Sequence, residues 1–169
     1  LTDDDLISPR LNTIYDCGEK GRFHLGLGHY YQSHRPHELD VQDRETKFYE
    51  AEKAEQVSLG YENRFFDNYQ FRVDTYLRYI GNPRPRYENV LDPFTDQNPE
   101  ASPDRVRLDI DRTIAKGVEL LLSQQTHPKL NWSLCYAFSS VRDKINGEEY
   151  YRSIDQPHSL VASLTYRPT

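Results

Sequence analysis

The chain has 169 residues, 36% hydrophobic and 28% charged, with a net charge of −6 and a pI near 5.5. That length suits one domain. The acidic balance, without a basic stripe, excludes nucleic acid as a partner, and no apolar run approaches the ~20 residues of a membrane helix.

Strand one is expected over Arg10–Asp16, with Leu11, Thr13 and Tyr15 on one face. Side chains of a strand alternate between faces, so period two reads as a sheet with one apolar and one polar side. Gly18-Glu19-Lys20-Gly21 is a tight turn, because glycine tolerates positive φ. Strand two covers Arg22–Tyr31, with Phe23, Leu25, Leu27 and Tyr31 against Arg22, His24, Gly26, Gly28 and Tyr30. A long polar segment, 32–55, follows. Strand three covers Gln56–Phe65 with Val57, Leu59, Tyr61 and Phe65 on the apolar face, and a short turn at Asp67-Asn68 leads on. Strand four covers Phe71–Tyr79: Phe71, Val73, Thr75, Leu77 and Tyr79 oppose Arg72, Asp74, Tyr76 and Arg78.

A second long loop, 81–109, holds Pro83, Pro85, Pro93, Pro99 and Pro103. The segment Thr113–Gln124 admits two readings. Ile110, Ile114, Val118, Leu121 and Leu122 fit a helical stripe, whereas Gly117 in its middle and His127-Pro128 after it favour a strand. Strand six covers Leu130–Val141, with Leu130, Trp132, Leu134, Tyr136 and Phe138 unbroken on one face. A third long loop, 142–157, contains Asn146-Gly147, and strand seven follows over Ser159–Arg167 with Leu160, Ala162, Leu164 and Tyr166 on the apolar face.

Short turns near 18–21, 66–69 and 125–129 therefore alternate with long loops near 32–55, 81–109 and 142–157. A meander with short turns at one end and long loops at the other matches the plan of a bacterial outer-membrane barrel. Tyr15, Phe23, Phe65, Phe71, Trp132 and Tyr166 sit near the short-turn ends, as an interfacial girdle requires. The competing architecture is a soluble antiparallel sandwich whose apolar faces pack on each other. The fold class expected is all-β: an antiparallel up-and-down meander of about seven strands, part of a transmembrane β-barrel.

Several phrases carry a family likeness. Tyr31-Gln32-Ser33-His34-Arg35-Pro36-His37-Glu38-Leu39, then Tyr49-Glu50-Ala51-Glu52-Lys53-Ala54-Glu55 entering a strand, resemble the barrel of TonB-dependent outer-membrane receptors. So do Lys116-Gly117-Val118-Glu119-Leu120 and Asp155-Gln156-Pro157-His158-Ser159-Leu160. The likeness runs from about Ser8 to Pro168, and it implies a strand at Thr113–Gln124. It implies a bacterial outer-membrane location, a lipid-facing wall, and uptake of a scarce ligand such as a metal chelate, cobalamin or a saccharide. It also implies TonB as a partner, reached through a plug domain that these residues do not include.

Such barrels have about 22 strands, so seven strands are expected to form a middle-to-late section of the wall. The opening Leu1-Thr2-Asp3-Asp4-Asp5, the absence of methionine and the ending Tyr166-Arg167-Pro168-Thr169 fit a mature product or an internal piece of a longer protein.

In the family, outer loops and lumen wall capture the ligand, and arginine forks suit anions. The resemblance thus nominates Arg35, His37, Arg84, Arg86, Tyr87 and Arg105 as ligand-binding residues, with Arg107 beside them. The alternative for these arginines is loop-to-loop pairing with Glu88, Asp92, Asp104 and Asp109. His29, His34 and His37 cluster near the first long loop but match no zinc spacing, so no metal and no cofactor are expected. Asp74, Glu62 and Glu119 are carboxylates of the polar face with no catalytic motif around them, and no enzyme activity is expected. Cys17 and Cys135 are expected to be free thiols on opposite faces.

Overall fold

A computed structural model describes residues 6–35, 46, 48–66, 68–89, 91, 104–125, 127–152 and 155–168. The protein is all-β. Its main sheet is an antiparallel meander in the order β1 (Arg10–Asp16), β2 (Arg22–Gln32), β3 (Glu52–Phe65), β4 (Tyr69–Gly81), β7 (Arg112–Gln124), β8 (Leu130–Ile145) and β10 (His158–Tyr166). A separate hairpin, β5 (Arg86–Glu88) with β6 (Val106–Leu108), lies in the second long loop, and β9 (Glu148–Tyr151) pairs with the far end of β8.

All seven expected strands are present, including the contested one, where Gly117 sits inside a ladder between β4 and β8. The third long loop differs from expectation: it begins as strand, not loop. Asn146 and Gly147 both adopt positive φ, 52° and 88°, which is the geometry of a two-residue hairpin turn. That turn folds β9 back on Arg142–Ile145, so β8 pairs with β9 above and with β10 below.

Register fixes the two faces. On the apolar face, one row reads Thr13, Leu25, Leu59, Thr75, Val118, Phe138. The next reads Tyr15, Phe23, Tyr61, Val73, Leu120, Tyr136, Leu160. Nearer the short turns come Phe71, Leu122, Leu134 and Ala162, then Phe65, Tyr69, Trp132 and Leu164. Aromatic contacts tie that end together. Phe65 stacks on Tyr69 at 5.7 Å, Tyr69 meets Trp132 at 6.4 Å, and Phe23 meets Tyr61 at 4.9 Å. The Trp132 indole N–H donates to Gln124 Oε1 at 3.0 Å, which satisfies its one polar atom.

Nothing among the described residues covers this face. Leu59 is 49% exposed and Leu164 is 71% exposed, and the buried hydrophobic residues are Tyr87 and Ile110, both at the long-loop end. A sandwich core would have placed a second sheet here. β1 and β10 each pair on one side only, so the sheet is open. Both cysteines are free, as expected.

On the polar face, glycines make room for larger neighbours. Tyr76 stands directly opposite Gly117, and its ring lies against the glycine: a Cβ there would sit 2.7 Å from Tyr76 Cε1 and 2.8 Å from the Phe138 carbonyl oxygen. One of those obstacles is backbone and cannot swing away. Gly117→Ala is therefore expected to lower stability by about 1–3 kcal/mol through overpacking, read as a lower urea midpoint at unchanged m-value. An unchanged midpoint would show that the ladder relaxes around a methyl group.

Candidate functional site

The strands leave the apolar band at the long-loop end and meet a compact polar cluster there. Its centre is Asp143, on the stretch of β8 beyond the band, 1% exposed and paired in register with Thr113 of β7, which is 0% exposed. The Asp143 carboxylate accepts from Thr113 Oγ1 at 2.5 Å, from Arg86 Nη1 at 2.6 Å, and from Arg152 Nε and Nη2 at 3.0 and 3.2 Å. Arg152 Nη2 also donates to Thr113 Oγ1 at 3.2 Å, and Arg86 holds Glu88 at 2.7 Å. One buried carboxylate thus joins β7, β8, the β5–β6 hairpin of the second loop and the return of the third.

Burial pushes the Asp143 carboxyl up, but the hydrogen bonds from Arg152, Thr113 and Arg86 outweigh burial and hold it below the ordinary carboxylate value. Its partners therefore favour the ionised form.

Of the arginines nominated from the sequence, Arg86 belongs to this cluster, and Arg84, Arg105 and Arg107 are engaged elsewhere within the protein. Arg84 donates its backbone N–H to Glu52 Oε1 at 2.8 Å and brings its guanidinium within 3.7 Å of the same oxygen. Arg86 is the strut just described. Arg105 lies 5.0 Å over the ring of buried Tyr87, and Arg107 bonds Asp109 at 2.9 Å while lying 5.9 Å over Tyr49. Asn89 bonds Asp104 at 3.1 Å across the foot of the same hairpin. The loop-to-loop pairing weighed for these residues is thus seen for Arg86 with Glu88 and Arg107 with Asp109. Asp92 and His37 lie outside the described residues.

In the first loop, His34 Nδ1 accepts the Tyr49 N–H at 3.2 Å, and its ring meets Phe48 edge-on at 5.5 Å. Arg35 is exposed beside it. His29 lies 3.8 Å from Glu55. Among the described residues, no three His, Cys, Asp or Glu side chains are placed to hold a metal ion.

Asp143, Thr113 and Arg152 carried no signal in the sequence. Asp143 falls in the expected 142–157 loop, and Arg152 sits nine residues further on in a segment without periodicity. Only the Asn146-Gly147 turn, read as a hairpin, would have brought them together.

The polar face below the cluster forms the second candidate surface. Gln56, Ser58, Arg72, Asp74, Tyr76, Arg78, Thr113, Glu119 and Arg152 line a groove of about 530 Å³ across β3, β4 and β7. Arg72 pairs with Asp74 at 2.5 Å, and toward the short turns Arg22 pairs with Glu62 at 3.2 Å. Glu62, Asp74 and Glu119 share this face, but none of the described residues encloses them as a hydrolytic carboxylate pair requires. Comparison with protein-family models, with curated proteins and with solved structures gives no match.

Proposed function

We propose that the chain is a section of a TonB-dependent outer-membrane receptor, forming part of a transmembrane β-barrel in a bacterial outer membrane that takes up a scarce ligand. The observation that carries this reading is the uncovered apolar face, continuous from Leu11 of β1 to Tyr166 of β10. A soluble monomer rarely exposes a contiguous apolar patch beyond a few hundred Å², whereas a lipid-facing wall requires one.

The dimensions support it. From Tyr69 to Leu77 the rise is about 27 Å at ~3.4 Å per residue, or roughly 21 Å normal to a membrane at a tilt of ~40°, and the next row, at Tyr79, already holds Glu55 and Arg142. An outer-membrane barrel carries an apolar band of ~25 Å. Trp132, Tyr69, Phe65 and Tyr166 gather at one rim of the band, as interfacial aromatics do. The open edges of β1 and β10 are then the lines along which the wall continues, since an edge in lipid would leave backbone N–H and C=O groups unsatisfied. The long-loop end, with its ion cluster, is the outward, ligand-facing end. Gating through a plug and coupling to TonB belong to the same reading.

Trp132 is the one tryptophan of the chain and serves as a native reporter. Reconstituted in bilayers, it is expected to be quenched by brominated lipid and shielded from aqueous iodide. Quenching by iodide alone, in a chain that stays monomeric without detergent, would sink the membrane reading in favour of a soluble sheet.

A further inference from the structure

We propose that the groove on the polar face binds a zwitterionic ligand of short-peptide size, its carboxylate on Arg78 and its ammonium on Glu119 and Asp74. The proposal deepens the receptor reading by naming a ligand class for its inner wall.

Charge in the groove is separated along the strands. Arg72 has Asp74, and Arg86 and Arg152 share Asp143. Arg78 differs: its Nε and Nη2 both donate to one neutral acceptor, Gln56 Oε1, at 2.9 and 2.6 Å. Among the described residues it meets no carboxylate. The other end is the reverse. Glu119 stands opposite Asp74 across the ladder, and like charges placed so repel. Glu119 makes no hydrogen bond or ion pair among the described residues; Arg72, already held by Asp74, acts on it from a distance. Among the described residues, a guanidinium without a counter-ion therefore stands at one end of the groove, and an extra carboxylate at the other.

Between them lies a firm floor. Tyr76 rests on Gly117, in the space a Cβ would fill, leaving its other ring face toward the groove. The backbone rise from Asp74 to Arg78 is about 14 Å. The Arg78 guanidinium rests toward β3 on Gln56, and exchanging that neutral acceptor for a ligand carboxylate would swing its charge along the groove toward the carboxylates. A tripeptide in extended form spans ~10–11 Å, which suits that gap. Its carboxylate would take the guanidinium fork, and its ammonium would relieve the Asp74–Glu119 repulsion.

The test is calorimetric titration of the full-length protein in detergent, folded by circular dichroism, with triglycine, N-acetyl-triglycine and triglycinamide at low salt. Triglycine is expected to bind at least about tenfold more tightly than either blocked form. Arg78→Gln should erase the preference over triglycinamide alone, and Glu119→Gln the preference over the acetylated peptide alone. Equal binding of all three peptides, no binding of triglycine, or variants that keep both preferences would overturn the proposal. Lipid quenching of Trp132 judges the barrel separately: a protein that binds triglycine but escapes lipid quenching defeats the receptor reading and leaves the groove standing.

Discussion

Phe138→Arg is expected to prevent stable insertion, while Ala137→Arg, one residue away on the same strand, leaves it intact. Phe138 stands in the middle of the apolar band, between Val118 and His158, and Ala137 stands on the polar face beside Glu119. Removing the ring from lipid forfeits about 1.5–3 kcal/mol, and arginine near the bilayer midplane costs a further ~2–4 kcal/mol. Together these approach the whole stability of an ordinary domain. At position 137 the new guanidinium meets water and the Glu119 carboxylate. Assembly into membranes, read by the fraction of protein resisting carbonate extraction, checks the pair. Equal behaviour of the two variants contradicts a lipid-facing band, because neighbours on one strand face opposite sides of the sheet.

The second large effect belongs to Asp143. Asp143→Ala leaves the Arg86 and Arg152 guanidinium groups and the Thr113 hydroxyl without their shared acceptor. Breaking a buried ion pair by removing one partner typically costs ~3–5 kcal/mol. The loss is local: the β5–β6 hairpin and the segment after β9 are expected to exchange amide hydrogens far faster, while β2–β4 keep their protection. Uniform protection across the variant would contradict the cluster's role as a tie between loops.

The same group fixes a pH dependence. Its folded carboxyl titrates below the ordinary value of 3.8, so its contribution is complete above that value and is lost as pH falls through the lower, folded one. The loops are expected to stay anchored down to about pH 4 and to loosen only in stronger acid. Loosening between pH 5 and 7 would assign the switch to another group.

The strands were legible because alternation is a local property. Val57, Leu59 and Tyr61, or Trp132, Leu134 and Tyr136, need no knowledge of their neighbours to declare a face. Boundaries were less so: β3 begins at Glu52 and takes in Lys53-Ala54-Glu55, because pairing with β2 and β4 extends the ladder through residues that do not alternate in polarity. The arginines were visible as residues and invisible as partners. Whether Arg86 faces solvent or Asp143 depends on a contact 57 positions away in sequence, which no spacing rule contains. The unequal pairing of Arg72 and Arg78 is mixed: Asp74 lies two positions along the same strand from Arg72, whereas Gln56 reaches Arg78 only across the ladder from β3.

The open edge of β10 bears on how the chain must be handled. From Ser159 to Tyr166 it is eight residues without a charge or a proline, rich in aliphatic and β-branched side chains, and exposed along its whole length. Such a segment is a template for intermolecular cross-β growth. The main-sheet strands pair in chain order, with only the β5–β6 hairpin and β9 set aside between partners. Among the described residues, β10 stands at the margin of the sheet with its outer backbone groups unmet. Overproduction away from a membrane should therefore yield fibril-prone inclusion bodies seeded at this margin, and a single lysine at Val161 or Ser163, facing away from the apolar side, is the place to suppress them.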